Sequence, residues 1–136
     1  MTGMSARVMR GRGWCVVVAT VLASTAMTAP ARAASRVSCT YRLLAVWSGG
    51  FSAEVSIAND GPTIDGWTVR WTFADATTVI QNWNSDLSEP DSRAVTATNR
   101  AWNRVIPTGT VTSFGWTALA ASTAVPTDLS VNGFGC

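Results

Sequence analysis

The feature that most constrains the fold is a run of strictly alternating residues at positions 67–73. Large apolar side chains occupy one parity, Trp67, Val69, Trp71 and Phe73, and polar side chains occupy the other, Thr68, Arg70 and Thr72. In a β-strand, this alternation places the apolar groups on one face and the polar groups on the other. The run therefore predicts a strand with one face in a hydrophobic core and the other in water.

The same period recurs through the rest of the chain after residue 33. We predict further strands at residues 40–46, 50–59, 78–83, 94–99 and 111–119, a closing segment around Leu129 and Val131, and a polar loop at residues 85–93. The predicted inward side chains are Tyr41, Leu43 and Ala45 in the first strand and Phe51, Ala53, Val55 and Ile57 in the second. Short strands separated by Gly and Pro turns indicate an all-β fold, an antiparallel two-sheet β-sandwich of immunoglobulin-like or jelly-roll-like type.

The first 33 residues have the three-part layout of a secretory signal peptide. A basic start is followed by an apolar run at residues 14–27 and by Ala31-Arg32-Ala33, so cleavage is expected after Ala33. An uncleaved membrane anchor is the alternative, but the run is shorter than the ~20 residues that a spanning helix needs. We therefore predict a signal peptide at 1–33, one binding module at 34–136, and an extracellular protein that is monomeric and, once processed, free of membrane.

Charge and cysteine content narrow the function classes. Without the first 33 residues, six arginines face eight acidic residues, a formal net charge of −2, so the basic pI does not argue for nucleic-acid binding. The exported part has two cysteines, Cys39 and Cys136, which can form one disulfide in an oxidising compartment. Two cysteines without any histidine cannot complete a zinc site, and we expect no cofactor.

The tryptophans divide into two groups by their sequence surroundings. Trp67, Trp71 and Trp116 have inward parity in predicted strands, which indicates the core. Trp47, Trp83 and Trp102 lie in polar, irregular stretches. Each of these could singly be a partly buried packing residue. Together they suggest exposed aromatic plates, which suit the flat faces of sugar rings, while neutral neighbours such as Gln81 can bond hydroxyl groups.

A family resemblance adds to this interpretation. The chain resembles the family 2 carbohydrate-binding modules, the bacterial cellulose-binding domains, in the order Cys39, Trp47-Ser48-Gly49-Gly50-Phe51, Asn59, Gly66-Trp67-Thr68-Val69, Gln81-Asn82-Trp83, Val95-Thr96, Asn99, Trp102-Asn103, Ile106-Pro107-Thr108-Gly109, Phe114-Gly115, Pro126, Asn132-Gly133 and Cys136. The resemblance implies a β-sandwich closed by a Cys39–Cys136 disulfide. It also implies a flat face with three coplanar tryptophans, Trp47, Trp83 and Trp102.

Two positions bear on the polysaccharide. In this family, cellulose binders keep the third surface tryptophan and carry Gly near the first, where xylan binders carry Arg. Trp102 and Gly50 therefore imply the cellulose-binding subfamily, 2a. Ser113 and Thr117 stand where the binding face usually has longer amide side chains, and Glu54 stands where Asn is frequent. The predicted face thus consists of the three tryptophans with Gln81, Ser113 and Thr117, and chitin or xylan remains an alternative ligand.

Two further function classes compete with polysaccharide binding. A glycosidase needs two carboxyl groups at a fixed separation. Glu54 has outward parity, and Asp86, Glu89 and Asp91 crowd a single predicted loop, which is typical of solvated surface charge. We therefore predict no enzymatic activity. A secreted module that uses the aromatic face to bind another protein is the remaining alternative.

Overall fold

The computed structural model describes residues 36–136, together with the isolated glycines Gly3, Gly11 and Gly13. The chain divides into two units, Met1–Pro30 and Ala31–Cys136, and the second carries the strands described below. Apart from those three glycines, the predicted signal segment at 1–33 lies outside the described residues. Within the described part, no helix has the length and apolar character needed to cross a membrane.

Strands dominate the described region. In chain order they are β1 Val37–Trp47, β2 Gly50–Asn59, β3 Ile64–Asp65, β4 Thr68–Thr72, β5 Thr77–Trp83, β6 Ser85–Ser88, β7 Ala94–Asn99, β8 Val105–Ile106, β9 Thr110–Ala120, β10 Ser130–Val131 and β11 Phe134–Gly135. A short 3-10 helix, Ala101–Asn103, lies between β7 and β8.

These strands form two main antiparallel sheets. The four-stranded sheet has the order β1-β2-β9-β5, and the five-stranded sheet has the order β11-β10-β4-β7-β6. A third, small sheet pairs β3 with β8. The predicted all-β, antiparallel two-sheet sandwich is confirmed. Each main sheet turns one face toward the other and leaves its second face outside.

The core is built from aromatic and β-branched side chains of both sheets. Trp71 of β4 stacks on Trp116 of β9 with ring centroids 4.6 Å apart, and Trp67 stacks on Phe114 at 5.2 Å. All four side chains are buried, as are the predicted inward residues of β2. Burial of such large apolar surfaces is the main favourable term in folding, so these contacts hold the sheets together.

The two cysteines are joined as predicted. Cys39 in β1 and Cys136, which follows β11, form a disulfide across a sequence separation of 97 residues. The bond links the edge strand of the four-stranded sheet to the end of the chain. Closing so long a loop is worth up to ~4–5 kcal/mol in the chain-entropy model.

The predicted polar loop at 85–93 is wrong in its first half. Residues Ser85–Ser88 form β6, which pairs with β7 at the edge of the five-stranded sheet. Ser85 is fully buried and Leu87 half-buried, whereas Asp86 and Ser88 are exposed. An edge strand with only one large apolar side chain lacks the hydrophobic alternation that would identify it in sequence.

Candidate functional site

The outer face of the four-stranded sheet depends on a bulge in each of its edge strands. In β1, the pairing with β2 slips between Leu43 and Ala45, so Leu44 has no partner. One extra residue turns all later side chains to the opposite face, because the side-chain period of a strand is two. Leu43 still faces the core, whereas Trp47 lies opposite Gly50 on the outer face. The bulge also explains why Ala45, predicted to point inward, is exposed.

The second bulge has the same effect in β5. Its pairing with β9 slips between Val79 and Gln81, and Ile80 is left without a partner. Val79 lies opposite a buried residue of β9, whereas Gln81 is exposed and Trp83 lies opposite Gly115. Without the extra residue, Trp83 would share the inward parity of Val79. Both strand tryptophans of the predicted site therefore reach the outer face because of a bulge.

Each of these indoles rests on a glycine. A Cβ atom placed on Gly50 would lie 2.6 Å from Nε1 of Trp47, and one placed on Gly115 would lie 2.6 Å from Cε2 of Trp83. Both distances are far shorter than van der Waals contact between such atoms, so the rings occupy space that a side chain would otherwise fill. Each indole consequently extends over the neighbouring glycine on the outer face.

Small polar side chains separate the two rings. The register places Ser52, Thr117 and Gln81 side by side across the sheet, one row from each tryptophan. The hydroxyl oxygens of Ser52 and Thr117 are 3.0 Å apart, and those of Ser56 and Ser113, in the row beyond Trp83, are 2.8 Å apart. Gln81, Thr117 and Ser113 thus share this face with the rings. Parity in the sequence points Ser52 and Ser56 outward, but only the strand register shows that they neighbour the rings.

One ion pair crosses the same face. Arg42 of β1 and Glu54 of β2 lie in the row of Gly115 and Trp83, with 3.3 Å between the Arg42 Nη2 and the Glu54 Oε1 atoms. The Arg42 side chain is largely exposed, so the pair contributes little to stability. Since the two charges cancel, the pair adds no net charge to the outer face, which otherwise carries neutral polar groups, aromatic rings and the exposed aliphatic side chains of Leu119 and Val111.

Trp102 belongs to the 3-10 helix and is 72% exposed. Its neighbour Asn103 holds the helix in place: Oδ1 accepts from the Arg100 backbone N–H at 2.7 Å, and Nδ2 donates to the Asn84 carbonyl at 2.6 Å. The buried Trp67 indole also donates to the Asn103 carbonyl at 2.8 Å. Because Asn84 directly follows Trp83, these bonds keep Trp102 beside the end of β5. The Arg100 guanidinium lies 5.8 Å from the Trp102 ring centroid.

The shifted titratable groups lie outside this face. Burial raises the pKa of the Tyr41 hydroxyl to about 12, and this hydroxyl has no hydrogen-bond partner among the described residues. A side-chain hydrogen bond from Arg104 lowers the pKa of Asp65 in β3. In the part of the chain that the structure describes, no group of three or more His, Cys, Asp or Glu could hold a metal ion.

Comparison with protein families gives a match over nearly the whole described region. The family model described as a cellulose binding domain matches residues 37–136. Endoglucanase CelA of Streptomyces lividans is 37% identical over 109 residues, which cover 79% of this chain and 24% of that protein. Exoglucanase A of Cellulomonas fimi is 35% identical over 117 residues, covering 84% of this chain and 13% of that protein. The chain thus spans a quarter or less of the length of these relatives.

Solved structures agree with the family match. The cellulose-binding family 2 domain from ScLPMO10C is 33% identical, with a TM-score of 0.55, over 70% of this chain and 92% of that one. The chitin-binding domain of Chi18aC from Streptomyces coelicolor is 27% identical, with a TM-score of 0.62, over 74% of this chain and 93% of that one. The family match over residues 37–136 and the similarity to these structures show that the chain belongs to the cellulose binding domains, family 2 of the carbohydrate-binding modules. These are non-catalytic polysaccharide-binding domains.

Proposed function

We propose that the outer face of the four-stranded sheet binds the surface of crystalline cellulose through Trp47, Trp83 and Trp102. The observation that carries the proposal is the pair of indoles that extend over Gly50 and Gly115 on one face. An indole at the surface offers an apolar plate to a ligand, and a pyranose ring has C–H groups on its own flat faces.

The spacing of the rings suits a ligand longer than one sugar. The rows that hold Trp47 and Trp83 are four residues apart along β2, roughly 14 Å at the usual rise of a strand. Between them, the hydroxyls of Ser52 and Thr117 and the Gln81 amide offer both donors and acceptors to sugar hydroxyl groups. Ser113 extends this polar surface beyond Trp83. A surface of this length and flatness favours several neighbouring sugars of a crystal face over one dissolved chain.

Trp102 supplies the third plate in this proposal. Its high exposure is unusual for an indole, and the hydrogen bonds of Asn103 keep it next to the strand end that carries Trp83. By analogy with the stacking of bases on aromatic side chains, each ring could contribute ~1–3 kcal/mol to adsorption. Because the polymer is neutral, few counterions are released on binding, and adsorption should resist salt.

The test is a depletion isotherm on microcrystalline cellulose with the triple variant Trp47→Ala/Trp83→Ala/Trp102→Ala. We expect this variant to stay folded by circular dichroism and to lose nearly all adsorption. A matched triple variant on the opposite outer face, Thr68→Ala/Arg70→Ala/Thr96→Ala, should adsorb like the wild type. Wild-type adsorption by the folded tryptophan variant would overturn the proposal.

Chitin is the second candidate ligand. It is favoured by the likeness of the fold to a chitin-binding domain, and its chains are similarly flat. Isotherms on cellulose, chitin and insoluble xylan, measured side by side, decide between them. Tighter adsorption to chitin would replace cellulose in the proposal, and strong preference for soluble xylan would assign the chain to the xylan-binding type.

We also propose that residues 1–33 direct export and that residues 34–136 act outside the cell as a monomeric module. The signal-peptide layout of the N-terminus and the disulfide support this, because disulfides persist in oxidising compartments. N-terminal sequencing of the exported protein should begin at Ala34. A product that still begins at Met1 would contradict it.

A further inference from the structure

We propose that Gly115 is the positioning residue of Trp83, and that its missing side chain is what lets this chain adsorb to a flat crystal surface. The inference rests on the proposed function, since it concerns how one ring of that face is held. Gly115 itself touches no sugar. It acts by leaving the space in which the indole lies.

A side chain at position 115 could point in only one direction. Its neighbours in β9, Phe114 and Trp116, are both fully buried, so the side-chain position of Gly115 points to the outer face. There it lies between Glu54 of β2 and Trp83 of β5, which are its partners in the two flanking strands. The indole of Trp83 reaches inward from the sheet edge and covers this position.

Any Cβ at residue 115 competes with the ring for the same volume. A Cβ there would lie 2.6 Å from Cε2 of Trp83, closer still to Cζ2, and 2.6 Å from the Ala53 carbonyl oxygen. The backbone contact is set by the pairing of β2 with β9 and has little freedom. The ring has freedom, because Trp83 lies in an edge strand with solvent above it. The indole would therefore tilt away from the sheet and leave the position that it holds over Gly115.

A tilted ring has unequal consequences for two kinds of ligand. A crystal face is rigid and contacts all the rings of the binding face at once. One tilted ring therefore holds the crystal away from the other two rings. A dissolved oligosaccharide can rotate to follow a single ring. Loss of Gly115 should thus weaken adsorption to crystalline cellulose by a larger factor than binding of a soluble cello-oligosaccharide. General damage to the fold would weaken both by the same factor.

The experiment compares Gly115→Ala, Trp83→Ala and the double variant with the wild type on microcrystalline cellulose and on soluble cellohexaose. Gly135→Ala is the matched control, since Gly135 also lies in a strand but a Cβ there meets nothing within 4 Å. We expect roughly tenfold weaker adsorption for Gly115→Ala on the crystalline ligand, the range expected when one stacking plate is lost. If displacement of the ring, and not a shift of the strands at the Ala53 carbonyl, carries the effect of the Cβ, the double variant should adsorb as Trp83→Ala does.

The outcomes separate this inference from the proposed function. If Trp83→Ala weakens adsorption but Gly115→Ala does not, the positioning role is wrong and the proposed face stands. If neither the wild type nor the variants adsorb, the proposed function itself fails. If Gly115→Ala unfolds, the double variant should recover part of the lost stability in urea, because removal of the ring relieves one of the two close contacts of the Cβ. A double variant as unstable as Gly115→Ala would overturn the inference and implicate the Ala53 carbonyl.

Discussion

The inner and outer tryptophans of this domain are the same residue type in opposite roles. Trp67 and Trp116 are 1% and 0% exposed and stack on other aromatic rings between the sheets, whereas Trp47 and Trp102 are 43% and 72% exposed. The inner indoles exclude water from the core. The outer ones are held on the surface by backbone features: two bulges, two glycines and a 3-10 helix bonded to its neighbours.

The two groups are physically connected. The Trp67 ring packs on Phe114, and its Nε1 donates to the carbonyl of Asn103, the residue after Trp102. A buried indole with a satisfied N–H therefore anchors the short helix that presents an exposed one. An exposed plate still needs a rigid support, because a mobile ring would lose conformational entropy on binding.

The largest expected effect separates the groups by stability. Trp67→Ala should lower the free energy of unfolding by ~3–5 kcal/mol, because it leaves a cavity in the core and removes the hydrogen bond to the Asn103 carbonyl. Trp102→Ala should change it by no more than about 0.5 kcal/mol, as is usual for exposed positions. Urea unfolding measures both. Equal losses in the two variants would show that the division into inner and outer tryptophans is wrong.

The disulfide tests whether stability and adsorption can be separated. Replacing Cys39 and Cys136 by Ser should cost about 2–4 kcal/mol in unfolding free energy, because the unfolded chain gains freedom. The bond lies away from the ring-bearing rows of the outer face, so adsorption at temperatures where the variant is folded should equal that of the wild type. A folded variant with weak adsorption would show that the cross-link also shapes the outer face.

The smallest expected effect is a pKa change that measures how well the inner aromatic residues are shielded from water. Tyr41 is the chain's single tyrosine, and it packs edge-on against Trp116 with ring centroids 5.7 Å apart. Burial raises its pKa to about 12, above the ordinary value of about 10 in the unfolded chain. A raised pKa means that the folded state holds the proton more tightly than the unfolded state. The contribution of this group to the stability of the fold is therefore fully present below pH 10 and is lost as the pH rises through the folded pKa. Absorbance of the tyrosinate at alkaline pH should show the midpoint moving toward 10 when denaturant is added. An ordinary midpoint in the native protein would mean that water reaches this edge of the core.

Local sequence patterns by themselves determined the core residues, the disulfide and the division of the tryptophans into two groups. The alternation at 67–73 and in β2 identified the core residues, and the two cysteines after residue 33 identified the disulfide. The polar surroundings of Trp47, Trp83 and Trp102 marked them as separate from the core. These features are readable because burial in a strand leaves a period of two in neighbouring residues.

The tertiary structure decided how the outer face is assembled. The bulges at Leu44 and Ile80 exist only as slips in pairing with β2 and β9, and no local pattern marks them. Contacts such as that between Ser52 and Thr117, 65 residues apart, likewise depend on the register of paired strands. The role of Gly115 emerges only when Trp83 is seen above it. Register is a long-range property of strand pairing. The sequence of one strand therefore gives the parity of its side chains, but only the paired strands determine which side chains are neighbours.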